Sequence, residues 1–285
     1  MAAAAGSIIS SCPRARRLFN AKDNKLLDVA IDHGVFNEDR FLDGIEDMTA
    51  VLRALILAQP DVIQVTIGQA RLLHSSGQGT GLPTPALVVR TDVANVYGTK
   101  APPLPFCDLQ HPDIVAEAVR LDASGVICNL FVLPEDAPGA TEVHRRCIQN
   151  VTHLRTECTK YGMPLLVEPL AFKYGDPQKK DKFTMEADVS VTRPLVRLAC
   201  ELGADIIKCD LPADPSEFKK LLAVCTPRPV LLRGGEKGEE AAVLKQAKDL
   251  MDVGAGGLVY GRNIIHHEDP AYITRRFMAV VHPSD

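Results

Sequence analysis

The stretch Gly203-Ala204-Asp205-Ile206-Ile207-Lys208-Cys209-Asp210 decides how the rest of the chain is interpreted. Its short apolar and β-branched centre is typical of a buried parallel strand that follows a helix. Lys208 then stands where the strand should end, although lysine is rarely buried unless it is paired or functional. Burial favours the neutral form of an amine, and a neutral amine can attack a carbonyl to form a Schiff base. The stretch alone leaves two interpretations open, a nucleophile or a side chain that reaches back to solvent.

Seven further apolar segments alternate with helical patterns along the 285 residues. This alternation predicts an α/β fold, a single (β/α)8 TIM barrel, whose usual length is about 250 residues. We expect an N-terminal arm over residues 1–20 and one barrel domain over residues 21–285. A doubly wound open sheet is the alternative, but Asp-His-Gly follows the first segment where a glycine-rich dinucleotide turn would stand. With the turns that end them, the eight segments are 26–34, 61–66, 85–92, 125–131, 163–169, 203–210, 229–235 and 257–262.

Composition and charge restrict the function. The net charge of −4 gives no general attraction to nucleic acid or to an anionic membrane. No apolar run approaches the roughly 18 residues of a membrane span. The eight cysteines are scattered without a C-x-x-C pair, which favours reduced thiols in a cytoplasmic protein. We therefore expect no nucleic-acid or membrane partner, and a homo-oligomer, since barrels of this kind commonly assemble.

Polar residues fall at the ends of the predicted strands, where barrel enzymes build their active sites. Polar side chains in a crowded barrel mouth are costly unless they are paired or used. Asp32 and Glu168 come from different strands and could meet Lys208, where a carboxylate moves protons and tunes the amine. For Asp32 the alternative is an ion pair with Lys208 that only organises the core. The remaining candidates for substrate contact at strand ends are Gln64, Arg90, Asn129, Arg233 and His33.

Two glycine turns predict a phosphate site. Gly234-Gly235 follows the seventh strand and Gly261-Arg262 follows the eighth, which is the usual place for phosphate in a barrel. Glycine lets the backbone approach a ligand, free N–H groups bind an anion, and an arginine adds a bidentate partner. The alternative is that these glycines only make tight turns.

A metal-dependent mechanism is the weaker prediction. Metal sites in barrels need several converging histidine or carboxylate ligands, and His33 is the only histidine well placed for one. A structural hydrogen bond is the favoured interpretation of His33. We expect no metal and no cofactor, with the lysine itself forming the covalent intermediate.

Four motifs carry a resemblance to a known family. Ala30-Ile31-Asp32-His33-Gly34, Gly203 to Lys208, Arg233-Gly234-Gly235 and Gly261-Arg262-Asn263-Ile264 stand in the same order as motifs of the archaeal-type class I aldolases. Over residues 25–282, roughly, the chain resembles that superfamily, which includes deoxyribose-phosphate-aldolase-like and tagatose-bisphosphate-aldolase-like enzymes. It is most similar to a less characterised branch associated with sugar or inositol catabolism. The resemblance implies that Lys208 forms the Schiff base and Asp32 assists it, while Gly234, Gly235, Gly261 and Arg262 hold a phosphate.

One position departs from the family pattern. Archaeal fructose-bisphosphate aldolases carry a general-acid tyrosine at the end of the fourth strand, and Phe131 stands near that place. Phenylalanine cannot donate a proton. Glu168 resembles the acid/base glutamate of the tagatose-bisphosphate aldolases and is the first candidate for the role, with Tyr97 as the second.

We therefore expect a class I aldolase that cleaves or forms a C–C bond in a phosphorylated ketose or related sugar phosphate. A transaldolase or a heptulosonate-type synthase would use the same lysine for another reaction. A flavin- or phosphate-binding barrel without Schiff-base chemistry is a third interpretation. A non-catalytic sugar-phosphate-binding barrel is the fourth, and it has little need of a buried lysine between two carboxylates.

Overall fold

Eight parallel strands form a closed barrel. The computed structural model describes residues 12–36, 38–97, 104–176, 182–212, 214–235 and 237–283. Each strand pairs with the next along the chain and the last pairs with the first, so the predicted (β/α)8 TIM barrel is confirmed. The strands are β1 (Leu26–Ala30), β2 (Val62–Thr66), β3 (Ala86–Arg90), β4 (Gly125–Val132), β5 (Leu165–Tyr174), β6 (Ile206–Cys209), β7 (Val230–Arg233) and β8 (Gly257–Tyr260).

One short helix precedes β1, and at least one helix follows each of the eight strands. They are α1 (Ala15–Leu18), α2 (Met48–Ala58), α3 (Ile67–Ser76), α4 (Ile114–Arg120), α5 (Ala140–Tyr161), α6 (Val189–Glu201), α7 (Phe218–Cys225), α8 (Glu240–Asp252), α9 (Arg262–Ile265) and α10 (Pro270–Val281). The sequence did not predict α3, because Gly68 and a polar run at its end weaken its periodicity and leave few buried residues. Among the described helices, none is long and apolar enough to cross a membrane.

Three shorter strands stand above the barrel at the carboxyl ends of the strands. Asp92–Ala94 pairs with Cys107–Leu109 in the loop after β3, and Phe183–Met185 pairs with the end of β5. The sequence analysis did not identify these pairings, since each strand has only three residues.

Side chains along each strand alternate between the barrel interior and the helix layer. The interior cluster contains one apolar residue or more from each of β1 to β8, and Leu18 and Phe19 from the chain that precedes β1 join it. These two residues therefore pack inside the barrel, although they belong to the predicted arm. Residues 1–11 of that arm lie outside the described residues, and the division into arm and domain stays a prediction.

A polar layer lies directly above this apolar cluster. Two residues after an interior apolar side chain, each strand presents a polar residue or a glycine at its carboxyl end. The alternation of strand side chains points all eight to the barrel axis. These residues are Asp32, Gln64, Arg90, Asn129, Glu168, Lys208, Arg233 and Gly261.

Candidate active site

A cavity of about 420 Å³ opens above the polar layer. Ala30 and Val259, interior residues of β1 and β8, form part of its lining. Ten residues predicted from the sequence also line it, namely Asp32, His33, Arg90, Glu168, Lys208, Arg233, Gly234, Gly235, Gly261 and Arg262. The structure therefore brings the predicted lysine, both predicted carboxylates and both glycine turns to one space.

Gln64 and Asn129 do not line this cavity. Both are buried in the polar layer, and the Nε2 of Gln64 donates to the Oδ2 of Asp32 at 2.6 Å. The side-chain Nδ2 and Oδ1 of Asn129 have no hydrogen-bond partner among the described residues. Substrate contact stays a prediction for both residues.

Lys208 is paired with Glu168. The lysine is 4% exposed, and its Nζ lies 3.2 Å from the Oε2 of Glu168. The same oxygen accepts from the Nη2 of Arg90 at 2.6 Å, and the Oε1 accepts from the Nη1 of Arg233 at 3.2 Å. Three cations therefore surround one carboxylate.

Asp32 is held by Arg90 and is not ion-paired with Lys208. The Nε of Arg90 donates to the Oδ2 of Asp32 at 2.7 Å, and its Nη1 donates to Asp92 at 3.3 Å. The sequence analysis offered an ion pair between Asp32 and Lys208 as one interpretation. In the structure Arg90 is the ion-pair partner of Asp32, and its guanidinium also reaches the carboxylate on β5. Arg90 lines the cavity, but it is only 1% exposed and its guanidinium donates to carboxylates of the protein.

The positive charges determine the protonation of the two predicted carboxylates. Burial by itself would raise the pKa of Glu168, but the charges of Lys208, Arg90 and Arg233 outweigh burial and hold that pKa well below its usual value. Burial also favours a higher pKa for Asp32, but the opposing effects of Arg90, Lys208 and His33 are larger, and the pKa of Asp32 is lowered. Both groups are therefore ionised at neutral pH and poorly suited to donate a proton.

His33 stays neutral at physiological pH. Burial, together with the charges of Arg262, Lys208 and Arg90, lowers its pKa to about 4 although Asp32 opposes the shift. Its ring packs edge-on against Phe41, with ring centres 5.9 Å apart. Gly261 faces the same ring, since a Cβ on that glycine would lie 2.5 Å from Cε1 of His33.

The two glycine turns lie side by side. Gly235 has a φ of +66°, a left-handed conformation that favours glycine. Gly234 lies against the ring of Tyr260, where a Cβ would come within 2.2 Å of the ring. The side chain of Asn263 joins the two loops, because its Nδ2 donates to the oxygen of Gly234 at 2.9 Å and its Oδ1 accepts from Gly238 at 3.0 Å.

Sequence reasoning missed several residues of the site. Two of them are Arg40 and Phe41, which line the cavity together with the predicted Arg262. The guanidinium carbons of Arg40 and Arg262 lie 5.2 and 6.0 Å from the centre of the Phe41 ring. Asp210 also lines the cavity and pairs with Arg233 at 2.7 Å. Arg40 and Phe41 lie in the short 3-10 helix Asp39–Phe41, which is too short to show a periodic pattern. Asp210 follows Lys208 closely enough to have been suspected.

Of the two residues considered as replacements for the family tyrosine, both line the cavity. Tyr97 and Glu168 face it, whereas Phe131 is fully buried and packs edge-on against Phe172 with ring centres 5.4 Å apart. Burial and the charge of Glu168 raise the pKa of Tyr97, although Arg233 and Arg90 oppose the shift. The phenol therefore keeps its proton at neutral pH.

Comparison with known proteins identifies the family. The model of the DeoC/LacD family aldolases matches residues 26–267. An uncharacterised aldolase of Saccharolobus solfataricus is 29% identical over 96% of this chain and 95% of its own length. A 2-amino-3,7-dideoxy-D-threo-hept-6-ulosonate synthase of Halobacterium salinarum is 26% identical over 91% of this chain and 88% of its own. The crystal structure of an archaeal fructose 1,6-bisphosphate aldolase is 25% identical with a TM-score of 0.75, covering 94% of this chain and 97% of that chain.

The chain belongs to the DeoC/LacD family of aldolases. This membership confirms the resemblance stated from the sequence motifs and the prediction of a class I aldolase. The role of each site residue is a separate matter, which the geometry of the cavity addresses.

The close contacts of Gly261 generate a stability prediction. In the Gly261→Ala variant the new methyl group would meet the Ala30 oxygen at 2.6 Å and the His33 ring at 2.5 Å. We expect the free energy of unfolding to fall by about 1–3 kcal/mol, as in other overpacked sites. Urea denaturation followed by circular dichroism measures it.

Gly68→Ala is the matched control. Gly68 is exposed in α3 with no heavy atom within 4 Å of a Cβ, so alanine should be neutral there or stabilise by up to about 1 kcal/mol. Equal urea midpoints for the two variants would contradict the packing argument.

Proposed function

We propose, starting from membership of the DeoC/LacD family, that Lys208 forms a Schiff base with the ketone of a phosphorylated ketose or related sugar phosphate. One observation carries the proposal. A buried lysine lies against a carboxylate at 3.2 Å, and both line a cavity that also contains two glycine turns. The polar layer keeps this amine inside the barrel, where a carbonyl can reach it and bulk water has little access.

The reaction proceeds through the lysine nitrogen. The neutral amine adds to the ketone carbon and the oxygen takes up a proton, which gives a carbinolamine. Loss of water, with a proton supplied by a general acid of the site, produces an iminium ion whose positive charge lies beside Glu168. The conjugate base of that acid then takes the proton from the hydroxyl on the β-carbon, which breaks the C–C bond, releases an aldehyde and leaves an enamine. Protonation and hydrolysis of the enamine then free the lysine and the second product.

The pKa values of the carboxylates are lowered and that of Tyr97 is raised, which favours different roles for them. Glu168 and Asp32 are ionised and stabilise the cationic intermediates by charge. The raised pKa of Tyr97 leaves its phenol protonated, and its ring lines the cavity. We therefore assign proton donation to Tyr97 and the counterion role to Glu168, which reverses the order favoured by the sequence.

Substrate phosphate would bind at the two glycine turns. The left-handed Gly235, where a Cβ would meet no heavy atom within 4 Å, leaves the backbone open to a ligand at the cavity wall. Gly261 lets the second turn pack closely against His33 and Ala30 beside it. Arg262 and Arg40 add positive charge on either side of Phe41. An arginine next to backbone N–H groups matches the geometry of phosphate oxygens.

A synthase or a transaldolase is the alternative function, because the same lysine chemistry forms as well as breaks C–C bonds. The similarity to the Halobacterium heptulosonate synthase favours keeping it. Product analysis with an added acceptor aldehyde separates the two reactions. A reaction without metal or cofactor, a cytoplasmic location and a homo-oligomeric state stay predictions.

Borohydride trapping tests the lysine. Reduction in the presence of dihydroxyacetone phosphate should add the mass of the reduced adduct to the peptide that carries Lys208. Lys208→Met should abolish the adduct and lower turnover by at least about 10³-fold, since the nucleophile is lost. Lys248→Met, on the exposed face of α8, is the matched control and should retain both. Wild-type turnover without any trapped adduct would rule out the Schiff base.

The Tyr97→Phe variant tests proton donation. We expect turnover to fall by about 10²-fold or more, because a general acid contributes about that factor, while the borohydride adduct on Lys208 still forms. Tyr174→Phe, at the exposed end of β5, is the control. Full turnover in Tyr97→Phe combined with loss of turnover in a folded Glu168→Gln variant would return the role to Glu168.

The Arg262→Met variant tests the phosphate site. Loss of a charge-assisted contact should raise KM for the phosphorylated substrate by about 10- to 100-fold and weaken inhibition by inorganic phosphate equally. Arg275→Met, on the exposed face of α10, should change neither quantity. Unchanged KM and phosphate inhibition in Arg262→Met would place the phosphate elsewhere.

A further inference from the structure

Asp28 is an acid inside the apolar layer of the barrel. It stands between Leu26 and Ala30 on β1, both of which belong to the interior cluster, so its side chain points to the same interior. Ala30 lines the cavity, which puts Asp28 one interior position below that lining and 1% exposed. No other strand has a charged residue below the polar layer in the part of the chain that the structure describes.

Both carboxyl oxygens of Asp28 lack a hydrogen-bond partner among the described residues. An ionised carboxylate in such a place is very costly, and a buried acid normally responds by keeping its proton. Burial raises the pKa of Asp28 to about 7, with Asp32 and Glu168 raising it further and Lys208 and Arg90 opposing the shift. Asp28 therefore changes its charge near neutral pH.

The charged groups that face Asp28 all belong to the site. They are Lys208 on β6, Glu168 on β5, Arg90 on β3 and Asp32 at the end of β1. Lys208 is the strongest of these electrostatic neighbours. In contrast to Asp32 and Glu168, Asp28 has no arginine to neutralise it within hydrogen-bonding distance among the described residues. The charge of an ionised Asp28 is therefore not compensated by a hydrogen-bonded cation among the described residues.

We propose that Asp28 is a positioning residue that controls the proton on Lys208 from beneath the cavity. In its neutral form Asp28 adds no charge, so the amine can lose its proton and attack a carbonyl. In its ionised form Asp28 holds the proton on the amine and delays that attack. The inference deepens the proposed function, since it concerns the same lysine, but its test needs no substrate.

Reductive methylation measures the coupling directly. Formaldehyde and cyanoborohydride label neutral amines, and mass spectrometry of the Lys208 peptide gives the labelling rate between pH 5.5 and pH 9. The Asp28→Asn variant cannot ionise at this position. We expect the ratio of variant to wild-type labelling rates to be near one at pH 5.5 and to rise to about tenfold above pH 7, where Asp28 of the wild type is ionised.

Asp61→Asn is the matched control for labelling. Asp61 is a carboxylate with 12% side-chain exposure at the opposite end of the barrel, where it pairs with His282. Its ratio to the wild type should not change with pH. Superimposed profiles of a folded Asp28→Asn variant and the wild type would overturn the inference.

Thermal melting gives a second readout, which an acid kept ionised by an ion pair would move in the opposite direction. The pKa of Asp28 is about 7 in the folded protein against an ordinary value of 3.8, so the folded state holds a proton that the unfolded chain releases. The stability from this proton is fully present below the ordinary pKa and is lost as pH rises through about 7. The Tm of Asp28→Asn should therefore rise relative to the wild type from pH 4 to pH 7 and then level off. A relative Tm that falls over this range would overturn the inference.

Two further arms keep the test decisive. If Asp28→Asn does not fold, Asp28→Leu removes the charge, keeps the branching of the side chain and suits the apolar layer, and it must show the same labelling ratio. Absence of a borohydride adduct on Lys208 together with pH-dependent coupling would reject the proposed function and retain this inference. An adduct without coupling would reject only the inference.

Discussion

The ion pairs of Arg90 hold the site together. One guanidinium, 1% exposed, donates to Asp32, Asp92 and Glu168 at 2.7, 3.3 and 2.6 Å. These carboxylates come from β1, from the chain after β3 and from β5, so a single side chain joins distant parts of the polar layer. A buried carboxylate that loses its partner costs about 3–5 kcal/mol, and removing Arg90 would leave more than one in that condition. The position of Glu168 beside Lys208 thus depends in part on Arg90.

This arrangement limits what the carboxylates can do. Glu168 accepts from Arg90 and Arg233 and pairs with Lys208, so protonating it would disrupt three favourable interactions at once. A group held in this way stabilises positive charge well and exchanges protons poorly. We therefore assign proton donation to Tyr97, which lies at the cavity wall outside the arginine network and whose raised pKa keeps the phenol protonated. Asp28, whose pKa is also raised, lies beneath the cavity lining, and its proposed role is to act on Lys208 through its charge.

The repeat of two residues along the strands explains how much of this could be predicted from sequence. It placed the polar residues at strand ends correctly, because the carboxyl ends of parallel strands converge in a barrel. It did not show which polar side chains pair with one another, because a strand pattern carries no information on partners across the barrel. Arg90 was therefore interpreted as a substrate contact although it serves mainly as a counterion, and Gln64 was placed in the cavity although it supports Asp32. Helix α3 and Arg40 were missed because neither lies in a periodic pattern.

Asp28 had a signal in the sequence that periodicity alone does not interpret. A charged residue interrupts the apolar run Leu26-Leu-Asp-Val-Ala-Ile31, and the usual expectation for such a strand is a second apolar residue facing the interior. A leucine at this position would avoid the free-energy cost of burying an acid, yet the sequence has an aspartate there. Its position determines what the acid can do, because elsewhere in the interior cluster the same charge would lower stability without reaching an amine. Beneath the cavity lining, where Lys208 is its strongest electrostatic neighbour, a change in one proton on Asp28 would alter the electrostatic potential at the nucleophile, whereas the hydrogen bonds of Arg90 to Asp32 and Glu168 do not involve Asp28. A group that regulates reactivity without moving the residues that bind substrate has to lie outside their network, and β1 places Asp28 there.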